Sequence, residues 1–465
     1  MYERARRPTA VIIGASATGL FAAAALADTA DVTLVERDLL PEGPLARRGV
    51  PQARHAHLVW SGGVHAFNDL LPGVVEEVVA RGGRLVHIMG DMVSRAPNEV
   101  WFRRFLATHH RNLVCSRNLL DAVLRERVLA HKRLTLCQNT TALGLEGDAN
   151  RVTGVRVTTS GGDTTTLRAD LVIDASGRGS RTPQWLDDLG VPAAKERQVD
   201  AGVAYSTRLF RAPHSAACHD FPLVNVQANP AKAPGQGGII VPVEDGRWIV
   251  TLSGTRGGEP TSDPNAFIDF ALGLGDPVIG ELLKDAEPFG DVATTRSTAN
   301  HRRYYEKAKH WPDGYLVLGD AIAGYNPVYG HGLTVAAQCA LAVGDIVRTT
   351  PLTASGTARR LQRAAARPVG AAWDLAVGQD AFYPGATDTP PSPVERFLAR
   401  FVDRAVETGA ANPRALGALL DVMSLEKSAT RLFSPDMVMP MLFGPKRPPL
   451  QGPPLSEAER KIATS

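Results

Sequence analysis

Hydrophobic positions near the N-terminus follow the order of a strand, a turn, a helix and a second strand. The β-branched run 11–13 meets a Gly/Ser turn, which is followed by an Ala-rich stretch and by a second apolar run, 32–35. Short apolar runs on both sides of one small-residue helix are typical of a βαβ unit with parallel strands. The chain is therefore predicted to open with an α/β unit.

The pattern changes twice further along the chain. Residues 116–129 have helical spacing with Ser116 available as N-cap, and residues 134–136, 152–159 and 171–173 have the pattern of strands. Short alternating segments between 199 and 253 predict an antiparallel sheet inserted in the α/β unit. A buried strand at 315–318 leads to a Gly-rich turn and a helix over 333–347. After Pro351 the spacing is mostly helical, and the Pro-rich tail from Gly444 to Pro454 is expected to be loosely ordered.

Composition narrows the classes of function. The 51 basic and 48 acidic residues give a net charge of +3, so no cationic field for nucleic acid is expected. No uncharged run has the length and character of a membrane helix, so no transmembrane segment is predicted. The four cysteines are far apart and form no metal or disulfide pattern, which favours a reducing cytoplasm.

The first turn carries the pattern of a nucleotide-binding fingerprint. Gly14-Ala15-Ser16-Ala17-Thr18-Gly19 stands where G-x-G-x-x-G occurs between a strand and a helix, with Ser16 in place of the middle glycine. The helix N-terminus offers free amides to a pyrophosphate. Glu36, followed by Arg37, ends the second strand, where a carboxylate binds ribose hydroxyls and repels a 2′-phosphate. FAD or NAD, and not NADP, is therefore the predicted nucleotide.

A second Gly-rich segment lies some 300 residues later. Leu318-Gly319-Asp320-Ala321 is followed by Asn326-Pro327-Val328-Tyr329-Gly330-His331-Gly332-Leu333-Thr334. Together with the first turn, this segment resembles the flavoprotein monooxygenases of the para-hydroxybenzoate hydroxylase fold. The resemblance implies that Asp320 holds a ribityl hydroxyl of FAD. It also implies that the helix starting after Gly332 directs its N-terminus at the flavin N1–C2=O edge, where reduced flavin carries negative charge.

Three further segments extend the resemblance. In the family's middle motif, here beginning Asp174-Ala175-Ser176-Gly177-Arg178, the aspartate faces the FAD pyrophosphate region, and Ala175 stands where glycine is usual. Arg117 matches an arginine that contacts FAD phosphate or ribose. The segment from Arg47 to His57 resembles the flavin-dependent epoxidases of polyether polyketide biosynthesis, which implies that Arg47 lies close to the isoalloxazine.

The resemblance implies an α/β fold with an α+β insert: a Rossmann-like FAD-binding domain, an antiparallel-sheet substrate domain and a helical C-terminal region. The expected boundaries are 1–185 for the FAD-binding domain with an excursion near 85–110, 186–290 for the substrate-binding sheet, 291–350 for the return to the FAD-binding domain, and 351–465 for the helical region and tail.

The function expected from the resemblance is epoxidation. An FAD-dependent monooxygenase would use a C4a-hydroperoxyflavin to epoxidise alkenes of a large apolar polyene in secondary metabolism, reduced by NADPH, by NADH or by a separate reductase. Two alternatives stay open, an aromatic hydroxylase and a flavin-dependent alkene reductase of the geranylgeranyl type. A halogenase is disfavoured because no W-x-W-x-I-P segment occurs.

No residue is predicted to act as a catalytic acid, base or nucleophile, and Arg47, Tyr329 and His331 are predicted only to lie near the flavin. No metal site is predicted either, because no carboxylate completes a ligand set with His55, His57 and His65. A long apolar cavity is expected between the sheet and the flavin. Its candidate lining residues are Trp60, Trp101, Phe102, Tyr205, Phe210 and Trp248.

Overall fold

The computed structural model describes residues 6–106, 108–217, 220–296, 298–444 and 447–463. Its helices are α1 (Ala17–Leu26), α2 (Ser61–Leu70), α3 (Val74–Ala80), α4 (Arg117–Leu129), α5 (Thr182–Asp188), α6 (His214–Ala217), α7 (Phe267–Leu272), α8 (Val278–Leu283), α9 (Gly332–Val347), α10 (Thr357–Asp380), α11 (Pro393–Ala411), α12 (Pro413–Met423), α13 (Pro435–Phe443) and α14 (Glu457–Ala463). Its strands are β1 (Thr9–Ile13), β2 (Asp31–Val35), β3 (Arg84–His87), β4 (Met92–Arg95), β5 (Arg111–Val114), β6 (Leu134–Cys137), β7 (Thr140–Gly147), β8 (Val152–Thr159), β9 (Thr164–Arg168), β10 (Leu171–Asp174), β11 (Glu196–Val199), β12 (Ala204–Arg211), β13 (Leu223–Val226), β14 (Gln236–Val243), β15 (Arg247–Gly254), β16 (Glu287–Thr295), β17 (Asn300–Arg303), β18 (Tyr315–Val317) and β19 (Ala323–Gly324).

A five-stranded parallel sheet in the order β18-β10-β1-β2-β6 forms the first layer. The register of β1 with β2 runs from Thr9↔Asp31 to Ile13↔Val35, so the two strands end at the same edge. Helices α1, α4 and α9 pack on this sheet, as expected for a βαβ arrangement with apolar strands buried on both faces. The first turn and the turn after β18 therefore open at one edge, where ligands of open α/β sheets bind.

A six-stranded sheet in the order β16-β12-β15-β14-β13-β4 forms the second layer. Its strands pair antiparallel, except that β4 pairs parallel with β13. Helices α7 and α8 cover one face and share with the sheet a core that contains Phe210, Trp248 and Phe267. Strand β4 arises from the segment between α3 and β5, so an early part of the chain contributes to this sheet.

The C-terminal helices close the molecule. Helix α10 packs against α9, while α11, α12 and α13 form a third core with residues around Ile88 and Phe102. The start of α11 has little covering: Val394 and Phe397 are each 66% exposed. Among the described residues, none of the helices is both long enough and apolar enough to cross a membrane.

The fold class predicted from the sequence is confirmed. A Rossmann-like parallel sheet, an antiparallel sheet and C-terminal helices are all present. The predicted helix near 116–129 is α4, and the side chain of Ser116 caps it by accepting a hydrogen bond from the Leu119 amide at 3.2 Å. The predicted Pro-rich tail lies partly outside the described residues, and α14, which the sequence analysis does not predict, follows it.

Candidate functional site

One cavity of about 1890 Å³ lies between the parallel sheet, the six-stranded sheet and the C-terminal helices. The fingerprint turn contributes Gly14 and Ser16 to its wall, the six-stranded sheet contributes Ile239 and Val241, and α12 contributes Leu420. The wall thus combines a polar end at the edge of the parallel sheet with an apolar end under the C-terminal helices. Such a shape suits a large ligand with both polar and apolar parts.

The fingerprint turn is shaped for close approach of a phosphate. Gly14 has a φ of +103°, and a Cβ there would lie 2.7 Å from the Ala175 carbonyl oxygen. A Cβ on Gly19 would lie 1.9 Å from the Gly14 carbonyl oxygen, so only glycine permits this contact between helix and turn. The N-cap residue Ser16 makes no side-chain capping bond to α1. The first amides of α1 therefore have no intrahelical acceptor and remain available to an anion.

Glu36 and Arg47 form a buried ion pair beside this turn. Arg47 Nη2 lies 2.8 Å from Glu36 Oε2, and the side chains are only 5% and 7% exposed. Glu36 Oε2 also accepts a hydrogen bond from the Ala15 amide, while Arg47 donates to the Ala15 carbonyl. The resemblance implies that Arg47 lies close to the isoalloxazine, and this stays a prediction. In the structure Arg47 lines the cavity. The carboxylate of Glu36 holds its guanidinium at the fingerprint turn.

Helix α9 presents a second uncapped N-terminus to the same cavity. Its N-cap residue His331 makes no capping bond, and the turn before it reverses at Gly330, whose φ is +66°. Pro327, Gly330, Gly332 and Leu333 all line the cavity, and the space where Gly332 would carry a Cβ is empty within 4 Å. The 16-residue helix therefore aims its positive end at an open space.

Asp320 lies at the end of β18 and also lines the cavity. Its Oδ2 is 3.5 Å from Arg178 Nε, and its side chain remains 34% exposed. Arg178 is fixed by donating to the carbonyls of Ala299 and Tyr325 at 2.8 and 2.7 Å. The sequence predicts no role for Arg178, although this residue lies within the motif that begins at Asp174. Asp320 therefore presents a carboxylate oriented by an arginine toward the cavity.

Asp174 occupies a different place from the one predicted. It is fully buried, and its carboxylate accepts hydrogen bonds from the hydroxyls of Ser176, Ser180 and Thr182, each at 2.5 Å. Because all three bonds are internal, Asp174 organises the 175–182 loop rather than facing the cavity. Its neighbours Ala175 and Ser176 line the cavity in its place.

Arg117 lines the cavity at the start of α4. Its Nε donates to Asp121 at 2.7 Å, and its Nη2 lies 3.4 Å from Ser16 Oγ in the fingerprint turn. Arg37 also lines the cavity, directly after Glu36. The fingerprint end of the cavity thus carries Arg37, Arg47 and Arg117 beside the first amides of α1. Arg47 and Arg117 are held by Glu36 and Asp121. Guanidinium groups and helix amides together suit a diphosphate.

Tyr329 and His331 lie at the junction of the polar and apolar ends. His331 is 1% exposed, and its Nε2 donates to the Met423 carbonyl at 2.9 Å. The Tyr329 hydroxyl donates to Asp380 at 2.5 Å, and the Tyr329 carbonyl accepts from the Trp60 indole at 2.9 Å. Burial lowers the pKa of His331 to about 4, so this imidazole is neutral at pH 7.

A buried hydrogen-bond network lies behind Tyr329. Asp380, at the last position of α10, also accepts from the amides of Asn300 and Asn326 at 2.6 and 3.0 Å. Asn326 accepts in turn from the Tyr205 hydroxyl at 2.6 Å. Burial raises the pKa of Asp380, and the three hydrogen bonds oppose that rise. The network connects the turn before α9 with β12, β17 and α10.

Half of the predicted lining residues reach the cavity. Trp60, Phe102 and Tyr205 line it. Trp101, Phe210 and Trp248 do not, and the structure corrects their assignment. All three are less than 5% exposed and pack in the core between the six-stranded sheet and α7 and α8. Phe210 of β12 and Trp248 of β15 lie on the sheet face away from the cavity, because successive positions on a strand alternate between faces.

Several lining residues are absent from the sequence-based prediction. His55 and His57 line the cavity, and burial lowers the pKa of His55 to about 4 and that of His57 to about 3. His65, which the sequence analysis weighs with them, lies on α2, 3.9 Å from Glu426. Helices α11 and α12 add apolar residues to the wall, such as Phe401 and Leu419, and the segment between α12 and α13 adds Leu432. No local signal connects these helices with a turn 70 to 100 residues earlier.

The buried His331 should make stability fall with acid. Its folded-state pKa near 4 lies below the usual 6.5, so the unfolded chain takes up a proton first as the pH falls. The contribution of His331 to the free energy of unfolding is present above pH 6.5 and is lost as the pH falls toward 4. At pH 5 the loss from this one group is about 2 kcal/mol. We expect the difference in Tm between pH 7 and pH 5 to shrink in the His331→Gln variant, which keeps a donor for Met423 but does not titrate. The matched change at the surface, His131→Gln, should leave that difference as in the unmodified protein, and an unchanged difference in His331→Gln would contradict the assignment.

The residues around the cavity fit FAD. Two helix N-termini without capping side chains, the arginines at the fingerprint end, the Glu36 carboxylate and the Asp320 carboxylate all open on one space. This matches the charge pattern of a dinucleotide, with donors for a pyrophosphate and acceptors for sugar hydroxyls.

Comparison with known proteins agrees with this geometry. Residues 7–374 match the family described as FAD binding domain, and the chain belongs to that family. Its family therefore defines a protein with an FAD-binding domain. The chain is also 32% identical over 431 residues to Protein Rv3254 of Mycobacterium tuberculosis, with 84% of this chain and 89% of that protein covered.

Solved structures with the same fold include different flavoenzymes. The flavin-dependent brominase Bmp2 superposes with a TM-score of 0.64 at 16% identity, covering 90% of this chain and 93% of the brominase. PqsL of Pseudomonas aeruginosa, described as a probable FAD-dependent monooxygenase, gives 0.60 at 17% identity, with 86% and 100% covered. CmlS, a flavin-dependent halogenase, gives 0.65 at 17% identity, with 91% and 77% covered. At these identities the likeness concerns the fold.

Proposed function

We propose that this protein is an FAD-dependent monooxygenase that epoxidises alkenes of a large apolar polyene, of polyketide or terpenoid type. The observation that carries the proposal is the continuity of the cavity. The polar end that fits FAD opens without a break into an apolar end lined by residues such as Met89, Phe102, Ile239 and Leu420. A chain of alkenes can lie along such a wall, because its recognition requires apolar contact rather than charge.

The apolar end also has an apolar opening. Leu398, Val402 and Phe433 line the cavity while remaining 44%, 42% and 58% exposed. Exposed apolar side chains at the mouth of a cavity favour entry of an apolar ligand. During entry the ligand and these side chains cover each other, so less of their apolar surface contacts water. A substrate longer than the cavity could extend through this mouth.

The roles of the chain's own residues follow from their positions. The amides of α1 and Arg117 would bind the pyrophosphate, Glu36 the ribose hydroxyls, and Asp320 a ribityl hydroxyl. The N-terminus of α9 would stabilise negative charge on the reduced ring. When bound, reduced FAD supplies with O₂ an electrophilic oxygen atom for the alkene. Neutral His331 and Tyr329, both held by internal hydrogen bonds, would shape the wall near the ring without adding charge.

The source of electrons is part of the proposal. NADPH or NADH would reduce the flavin in a transient complex, or a separate reductase would deliver the electrons. The two routes are distinguished by mixing the anaerobic holoprotein with each nicotinamide and following the loss of flavin absorbance. Reduction by nicotinamide alone supports the first route, and reduction only after addition of a flavin reductase supports the second.

The test of the function uses the purified holoprotein, reduced without oxygen and then mixed with ¹⁸O₂ and a linear polyene. We expect a product heavier by one oxygen atom, with the label in an epoxide, and ring opening to a diol with acid. A saturated hydrocarbon of equal length is the control and should give no product. Turnover of a phenol instead would establish the aromatic hydroxylase. Reduction of an alkene in the absence of oxygen would establish the alkene reductase.

A further inference from the structure

A cluster of two histidines and two carboxylates lies beside the cavity, where the C-terminal helices meet the FAD-binding domain. One nitrogen or oxygen atom from each of His109, His110, Asp421 and Glu426 lies within 4.8 Å of the other three. His110 Nε2 is 3.2 Å from Asp421 Oδ1, and His109 Nε2 is 3.2 Å from Glu426 Oε2. None of the four is among the residues that line the cavity.

We propose that this cluster binds a divalent transition metal ion of the size of Zn²⁺. Imidazole nitrogen and carboxylate oxygen are ligands that suit Zn²⁺, and four such atoms can surround one ion at about 2.0–2.2 Å each. Three of the ligand-atom separations are 3.2–3.9 Å, and all six lie within 4.8 Å. Small shifts of these side chains would bring the four atoms to the separations of a four-coordinate site. The histidines would bind as neutral rings through Nε2, with the hydrogen on Nδ1.

The carboxylates are oriented as metal ligands usually are. Asp421 presents Oδ1 to the histidines, while its Oδ2 accepts from Lys427 at 3.0 Å and from Arg431 at 2.7 Å. Glu426 presents Oε2 to the histidines, while its Oε1 accepts from the Ser61 hydroxyl at 2.5 Å. One oxygen of each carboxylate is thus held from behind, and the other is directed into the cluster. In known metal sites, hydrogen bonds of this kind orient the side chains that bind the ion.

Charge in the region also favours a cation. Asp421, Glu426 and Asp436 carry three negative charges, whereas Lys427 and Arg431 carry two positive charges. Arg431 is occupied by both aspartates, at 2.7 and 2.5 Å. Because the Asp421 side chain is 3% exposed and that of Glu426 is 13% exposed, water screens the remaining negative charge poorly. A bound cation would compensate this remaining negative charge.

The site has a path for the ion and a structural consequence. The His109 side chain is 64% exposed, so the cluster can be reached from solvent, whereas the His110 side chain is fully buried. The end of α12 and the residues that follow it connect the cluster to the turn before α9 and to α9 itself. The Met423 carbonyl holds His331, and the Leu425 carbonyl accepts from Gln338 of α9 at 2.9 Å. A bound ion would therefore fix the C-terminal helices against the turn and helix that approach the flavin.

The experiment titrates Zn²⁺ into the chelator-treated holoprotein and measures bound zinc by mass spectrometry and affinity by calorimetry. We expect one tightly bound equivalent, with affinity at least tenfold lower in both His109→Gln and Glu426→Gln. The His109 side chain is mostly exposed, so the His109→Gln variant should keep the fold of the protein. A change at the buried His110 is more disruptive and is therefore not used. His131→Gln, in another histidine–carboxylate pair, is the matched control and should bind like the unmodified protein.

A second measurement separates this site from zinc held elsewhere. Zn²⁺ should raise the Tm of the holoprotein and of His131→Gln, and should leave the Tm of Glu426→Gln unchanged. The proposal is overturned if no stoichiometric zinc is bound, or if His109→Gln and Glu426→Gln bind zinc as tightly as the unmodified protein does.

Discussion

Replacing Asp320 by alanine is expected to release FAD while leaving the fold intact. The carboxylate lines the cavity at the end of β18 and is oriented by Arg178 at 3.5 Å. A hydrogen bond from a ligand hydroxyl to a carboxylate contributes about 1.5–3 kcal/mol, so its loss should weaken FAD binding by about 10- to 100-fold. The fold should persist, since the side chain is 34% exposed and takes no part in a core.

The measurement is the dissociation constant of FAD from the deflavinated protein, followed by fluorescence. Asp320→Asn keeps one acceptor oxygen, so its dissociation constant for FAD should lie between those of the unmodified protein and of Asp320→Ala. Asp345→Ala is the matched control, because Asp345 lies near the other end of α9, is 68% exposed and pairs with Arg348. Unaltered FAD affinity in Asp320→Ala, with the circular dichroism spectrum unchanged, would remove the role that we propose for this aspartate.

The sequence alone locates the polar end of the site well. The fingerprint turn, Glu36, Asp320 and the turn before α9 are each defined by a few neighbouring residues, and parallel strands bring their ends to one edge. Gly14 and Gly19 are required by the local geometry of the turn, because a Cβ at either position would collide with a backbone carbonyl oxygen. The structure therefore assembles at one edge what the chain separates by 300 residues.

The apolar end depends on long-range packing and is harder to predict. Trp101, Phe210 and Trp248 have the same aromatic character as Trp60 and Phe102, but they lie in the core under α7 and α8. For Phe210 and Trp248 the face of the sheet decides this, and it depends on strand register. The position of Arg47 follows from an ion pair with Glu36, which its own neighbours in the sequence do not reveal. Helices α11 and α12 have ordinary amphipathic patterns, so nothing local shows that they cover a cavity rather than a core.

Asp380 is also positioned by contacts that are distant in sequence. Its replacement by alanine should strongly destabilise the protein. The carboxylate is 1% exposed and accepts hydrogen bonds from Tyr329, Asn300 and Asn326. Among the described residues, no basic side chain forms an ion pair with it. Its removal takes this acceptor from three donors, of which Asn300 Nδ2 also donates to the Val199 carbonyl at 3.4 Å. Each loss costs about 1–3 kcal/mol before relaxation. We expect the Tm of the holoprotein to fall by about 5–10 °C.

Two variants separate the network from the loss of one side chain. Tyr329→Phe removes a single donor and leaves Asp380 with two, so its Tm should fall by only a few degrees, for about 1 kcal/mol. Asp388→Ala changes an exposed aspartate in the segment that follows α10 and should have no measurable effect. Asn326 and Tyr329 belong to the turn before α9, so Asp380→Ala should also weaken FAD binding. A variant that destabilised only the C-terminal helices would leave FAD binding unchanged. A Tm within one degree of the unmodified protein would show that the turn is held by other contacts.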